Sequence, residues 1–197
     1  MKKDFISKYK WQLAIALVAI IIIGSIIGMY NRFITLEQTI NIDWAEVENQ
    51  YQRQADLIPN LVSTVSSAVT VETKFVTDVT EARSRWQTAD NQYDKDAAGV
   101  DMNNGIAALV NAVFTSENYP VLQANQQYTI LMDELTGTQN RIAVARGRYI
   151  EDIGAYNIAI MRFPARVFAG MFGFSEKDYY KAQTELITPS LGSGQLP

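Results

Sequence analysis

A chain of 197 residues with neither cysteine nor histidine has no disulfides, no thiol chemistry and no lipidation at cysteine, and it lacks the usual general base and the commonest nitrogen ligand for metals. Its 17 basic and 21 acidic residues give a net charge of −4, and setting aside the four lysines and one aspartate of residues 1–10 leaves 13 against 20, or −7. An acidic domain without a basic stripe makes nucleic acid an unexpected partner, and it can approach anionic lipid only through apolar contacts.

Residues 1–10 read as a short cytoplasmic N-terminus. Trp11–Met29, WQLAIALVAIIIIGSIIGM, contains no ionisable side chain. At about 1.5 Å per residue it approaches the roughly 30 Å hydrocarbon core of a bilayer. Tyr9, Trp11 and Tyr30 stand at its ends, where interfacial aromatics belong. The run exceeds a usual signal-peptide core and SIIGMYNRF offers no small-x-small cleavage site, so an uncleaved transmembrane helix is expected. Lys2, Lys3, Lys8 and Lys10 precede it and only Arg32 follows closely, which predicts a single pass with the N-terminus inside and the rest extracytoplasmic. Gly24-x-x-x-Gly28 within the span is a spacing that lets two membrane helices approach closely.

Residues 30–188 read as a helical bundle. From Ile40 to Trp86, apolar residues recur at alternating steps of four and three: Ile40, Trp44, Val47, Tyr51, Gln54, Ile58, Leu61, Val65, Ala68, Glu72, Phe75, Val79, Ala82 and Trp86, with Gln54 and Glu72 as the exceptions. This period predicts one long helix packed in coiled-coil fashion. Pro59 lies inside it, and an interior proline removes a backbone hydrogen bond, so a kink or break is expected near Asp56. Asp90–Asp96 and Gly99 read as a loop, Met102–Ser116 as a short buried helix, and Asn118-Tyr119-Pro120 as its end. A second seam runs through Tyr128, Leu131, Leu135, Thr138, Ile142, Ala145, Tyr149, Ile153, Tyr156, Ile160 and Phe163, and Pro164 ends it. Two long helices joined in this way must pack antiparallel to hide their seams.

Phe163–Phe174 is rich in aromatics, with Phe168, Met171, Phe172 and Phe174 as a possible interface. Packing on the bundle is the first expectation, because the segment lacks the basic face of a surface-binding helix; a subunit contact and an apolar wedge into the bilayer are the alternatives. Ser175, with Asp178 three residues on, predicts the cap of a last short helix. Residues 189–197 read as a flexible tail.

Several local motifs together resemble one known family. They are Tyr30-Asn31 after the span, Ala55-Asp56-Leu57-Ile58-Pro59-Asn60-Leu61-Val62, Ala82-Arg83, Glu117-Asn118-Tyr119-Pro120, Arg141-Ile142-Ala143-Val144-Ala145-Arg146, Tyr156-Asn157 and Phe163-Pro164. In order and spacing they resemble the LemA family of bacterial membrane proteins, across roughly residues 30–180. The resemblance implies an antiparallel long-helix bundle on one N-terminal anchor, and it supplies no reaction. Three positions depart from the family pattern: Gln54 replaces arginine, Gln139 replaces glutamate and Ile150 replaces asparagine.

Asp56, Glu72, Arg83, Arg141 and Arg146 are the polar residues that could set the register between helices. Glu72 lies on the seam, where an unpaired carboxylate is costly, so a pairing with Arg141 or Arg146 is expected. Pro59, Asn60, Tyr119 and Pro120 read first as kink and turn residues. Glu134, Glu151 and Asp152 read as solvated, since helical carboxylate metal sites also draw on histidine. No catalytic residue, metal site or cofactor is expected. The expectation is a non-enzymatic, membrane-anchored scaffold that forms homo-oligomers in the cell membrane; the alternative is an extracytoplasmic adaptor or sensor acting through a protein partner.

Overall fold

The alternating four-three spacing is realised as helix almost throughout. A computed structural model describes residues 2–68, 73–115 and 126–179. Among these the chain is all-α, with α1 (Lys2–Ala68), α2 (Thr73–Thr88), α3 (Gln92–Thr115), α4 (Gln126–Met161) and α5 (Ala165–Met171). Trp11–Met29 lies within α1, which is long and apolar enough there to cross a membrane.

The first seam forms two helices, α1 to Ala68 and α2 from Thr73, not one running to Trp86, and Arg83 of α2 comes back to Ala55 of α1. Three further boundaries differ from expectation. Helix α1 passes through Pro59 without a break near Asp56. Pro59 has no N–H to offer the Ala55 carbonyl four residues back. Arg83 of α2 supplies the missing donor: its Nε–H donates to the Ala55 carbonyl oxygen at 2.9 Å. The second difference is α3, which begins at Gln92 and absorbs most of the expected loop, leaving only residues 89–91 outside helix. Asn91 explains the start, since its Oδ1 accepts the Asp94 backbone N–H at 2.9 Å and its Nδ2 donates to the Asp94 carboxylate at 2.7 Å. This cap satisfies an otherwise unpaired first-turn donor. The third difference is C-terminal. Residues 174–179 are not helical, so Ser175 does not cap a helix there, while α5 forms earlier, where only an aromatic-rich stretch is expected.

The chain packs as two compact units. In the first, residues 2–44 and 147–179, the Trp44 ring lies tilted against Tyr149 at 5.5 Å and Glu37 lies near Tyr156, so α1 and α4 run antiparallel. Phe33, Ile40, Ile153, Tyr156 and Ile160 are buried here. Ala165 and Ala169 form the buried side of α5.

The second unit comprises residues 45–68, 73–115 and 126–146. Arg53 bonds Glu134 at 3.1 Å and Arg141 Nε donates to Gln50 at 3.3 Å, so α1 and α4 are antiparallel here as well. Arg85 pairs with Asp101 at 2.8 Å, and Val79 packs against Gly105, which sets α2 antiparallel to α3. Val47, Tyr51, Gln54, Ile58, Leu61 and Val65 from α1 are buried, as are Val79, Ala82 and Trp86 from α2. Among the described residues both seams therefore point inward with one exception: Phe163, assigned by its spacing to the second seam, is 87% exposed.

Candidate functional site: a buried polar cluster and an aromatic collar

In the second unit, three helices deliver polar groups to one buried point. Tyr51 of α1 donates its hydroxyl to Asp96 Oδ1 at 3.3 Å. Arg146 of α4 donates from Nη1 to the same hydroxyl oxygen at 3.3 Å, and its Nη2 lies 3.5 Å from Asp96 Oδ2. The Asp96 side chain is 1% exposed and that of Arg146 12%. Burial pushes the Asp96 carboxyl up to about 6 against the opposing pull of Arg146 and Tyr51. The Tyr51 hydroxyl is raised by burial first and by the Asp96 charge second, so it stays protonated.

One turn further along α1 and two along α3, Gln54 donates its Nε2 to Asn103 Oδ1, and both residues are buried. Gln54 Oε1 and Asn103 Nδ2 have no hydrogen-bond partner among the described residues. Gly99 lies between Asp96 and Asn103 on α3, and a Cβ built there would stand 2.6 Å from the Tyr51 ring. The spacing 96, 99, 103 is thus a single helix face whose middle position must be bare for the tyrosine to reach the carboxylate. Lys95 adds an ion pair with Glu48 at the edge and lies over the Trp86 ring at 5.6 Å.

The sequence-selected residues separate clearly. Arg146 joins the buried cluster. Arg141 donates to Gln50 and, at 2.9 Å, to Thr138 Oγ1, near the surface. Arg83 is spent on the Ala55 carbonyl. Asp56 is exposed and accepts a hydrogen bond from Gln52 at 2.8 Å, one turn back on its own helix. Asn60, also exposed, lines an open groove with Leu57, Thr64, Ile130, Leu131 and Glu134. Glu72, Tyr119 and Pro120 lie outside the described residues. The partner of Arg146 sits in the stretch that reads as a loop, and the signal that finds it is Asp96-x-x-Gly99-x-x-x-Asn103 continuing upstream from an apolar helix.

In the first unit, an aromatic collar surrounds the end of the span. Tyr30 meets Phe172 edge-on at 5.2 Å and Phe174 at 5.7 Å, and Phe33 meets Phe174 at 5.2 Å. Phe168 is half-buried, whereas Met171 is exposed. Asn157 holds the following segment in place: its Nδ2 donates to the Lys177 carbonyl at 2.8 Å, and its Oδ1 accepts the Lys177 backbone N–H at 2.9 Å. Lys177 Nζ then pairs with Glu37 at 2.9 Å. Asp152 is not simply solvated. It is half-buried and hydrogen-bonded to Asp43, and desolvation, that bond and the charges of Asp43 and Glu151 raise its carboxyl to about 6. Glu134 is held by Arg53 in an exposed pair.

These features define a class: an all-α protein whose N-terminal apolar helix leads directly into an antiparallel bundle locked by internal polar contacts. The family model described as LemA family matches residues 43–190, most of the chain, and the protein belongs to that family. It is also similar to magnetosome proteins. Magnetosome proteins MamQ 1 and MamQ 2 of Paramagnetospirillum magneticum are each 24% identical, over 89% of this chain and 74% of theirs. Magnetosome protein MamQ of Magnetospirillum gryphiswaldense is 24% identical over 94% of this chain and 79% of its own. The apolar helix and this kinship together support a membrane protein.

Proposed function

We propose that the protein is a non-enzymatic scaffold, anchored by Trp11–Met29 in the bacterial cell membrane with its N-terminus inside, and that it self-associates through the span at the bilayer surface. The observation carrying this reading is the openness of Gly24 and Gly28 on an unbroken helix. Among the described residues a Cβ at either glycine meets nothing within 4 Å, which leaves this face of the span open to a second helix. Small residues four apart allow close backbone approach, the main source of helix attraction in lipid. The excess of lysine ahead of the span supports the orientation. The relatives' names denote a magnetosome component and no reaction, in keeping with an assembly role. The internal polar clusters fit such a role, because each is spent on fixing helices to one another.

The test is the mass of the full-length protein in lipid nanodiscs, beside a Gly24→Ile/Gly28→Ile variant. A defined homo-oligomer that the variant loses supports the reading. A lone chain in both rejects self-association and favours the adaptor that works through a different partner. Protease added to spheroplasts tests the orientation: cleavage of the bundle supports it, and full protection beside a digested outer-face control refutes it.

A further inference from the structure

The seam pattern assigns Phe163 to the interior, yet it is more exposed than any large apolar side chain of the span. It has company: Val167 is 57% exposed and Met171 74%. On α5, Val167 and Met171 lie one turn apart and opposite Ala165 and Ala169, which are buried, and Phe163 stands in the turn just ahead of that helix. Single exposed apolar residues are ordinary, whereas an aligned set is a surface seeking a partner. The same segment is fastened to the exit of the span, since Phe172 and Phe174 pack on Tyr30, one residue beyond Met29.

We infer that Phe163, Val167 and Met171 form a lipid-contacting face that enters the interfacial layer of the leaflet from which Tyr30 emerges. A membrane-crossing span places Tyr30 at the headgroup level. Ring contact then holds residues 172–174 at that level and α5 beside it. The charges agree with this placement. Contrary to the expectation that this segment has no basic face and meets lipid through apolar contacts only, Arg162 and Arg166 are both exposed and suit lipid phosphates, and Arg32 is exposed two residues beyond Tyr30. A basic rim around an apolar stripe, about 5–10 Å deep at the headgroup–acyl boundary, is how interfacial segments bind. In a domain that is otherwise acidic, this face can meet an anionic membrane without repulsion. The inference rests on Trp11–Met29 crossing the bilayer and not on self-association.

The natural absence of cysteine allows a clean test. Full-length Phe163→Cys, Val167→Cys and Met171→Cys variants, each carrying an environment-sensitive fluorophore, are reconstituted in phosphatidylcholine–phosphatidylglycerol vesicles. Lipids bearing a quencher just below the headgroup should remove most of the fluorescence at all three positions, while a label on exposed Tyr93→Cys keeps its signal. Labels reached by aqueous iodide and untouched by lipid quencher would overturn the inference. Protection from both quenchers would also overturn it, in favour of a face covered by a second copy. A label on Ile22→Cys reports the anchor separately: quenching there by chain-end probes, without quenching at 163–171, makes the lipid face fail while the span stands. Helicity measured by circular dichroism confirms that each variant is folded, and with three independent positions the result does not hang on any one substitution.

Discussion

The two units share the same pair of antiparallel helices yet hold them together by opposite means. The second unit puts its specificity inside: Tyr51, Asp96 and Arg146 meet where the Asp96 side chain is only 1% exposed, and Gln54 pairs with Asn103 further along α1 and α3. The first unit puts aromatic rings around the end of the span and ties down a non-helical segment through Asn157. Two bare coiled-coil seams could slide by a heptad with little loss. A buried charge fixes one register because every other register leaves it unpaired. Next to a membrane, apolar contacts fix position equally well and remain compatible with lipid.

The largest effect that tests this contrast is expected from Arg146→Met. Removing one partner of a buried pair typically costs about 3–5 kcal/mol, because the other charge is left in the interior. Local opening energies from hydrogen exchange in nanodiscs should fall around residues 51 and 96 and hold around residue 157. The loss should shrink in acid. Asp96 titrates near 6 in the folded chain against 3.8 unperturbed, so the folded state holds an extra proton between those values. Lowering the pH through this window therefore adds stability through Asp96, on the order of 1–3 kcal/mol, and raising it removes that gain. Asp96→Asn should abolish this pH dependence, and an unchanged profile would show that Asp96 does not titrate there.

Gly99→Ala comes next, with an expected loss of about 1–3 kcal/mol, typical of overpacking. Alanine favours helix by roughly 1 kcal/mol over glycine, so a stabilised variant would mean that the Tyr51 ring moves aside at no cost. In the first unit, Asn157→Ala deletes both bonds to the Lys177 backbone. A loss of about 1–3 kcal/mol is expected, confined to the first unit, with faster exchange at Lys177.

Both seams are legible in the sequence because burial leaves a period of 3.5 in any helix pair. Almost every seam residue of α1, α2 and α4 that the structure describes is buried or half-buried. Asp96 is not legible, because Asp90–Asp96 has the composition of a loop. The cap at Asn91 and the contact with Arg146 override that composition, and both depend on tertiary packing. Phe163 misleads in the other direction: its spacing continues the seam, but Pro164 ends the helix and the side chain points out. Asn157 stands beside a seam tyrosine, and nothing local announces that its amide will hold a segment twenty residues away.

Pro59 and Arg83 show how two separate motifs can be one device. Read alone, Asp56-Leu57-Ile58-Pro59-Asn60 predicts a kink or break, and Arg83 reads as one of the polar residues that set the register between helices. In the folded chain the arginine donates to the one α1 carbonyl that the proline leaves without its helical donor. The proline thereby provides a docking point for α2 that an unbroken hydrogen-bond ladder would not offer, and the two residues are coupled. Arg83→Met should destabilise the second unit by about 1–2 kcal/mol when Pro59 is present, since the carbonyl of buried Ala55 loses its donor. In a Pro59→Ala background the backbone N–H regained at position 59 restores the ladder, and the same arginine substitution should cost a few tenths of a kcal/mol at most. The cycle over both sites should therefore return a coupling energy of about 1 kcal/mol, measured from opening energies at residues 55–61. Additive effects would mean that Arg83 serves α2 through its aliphatic stem alone, and that the Ala55 carbonyl is satisfied by water.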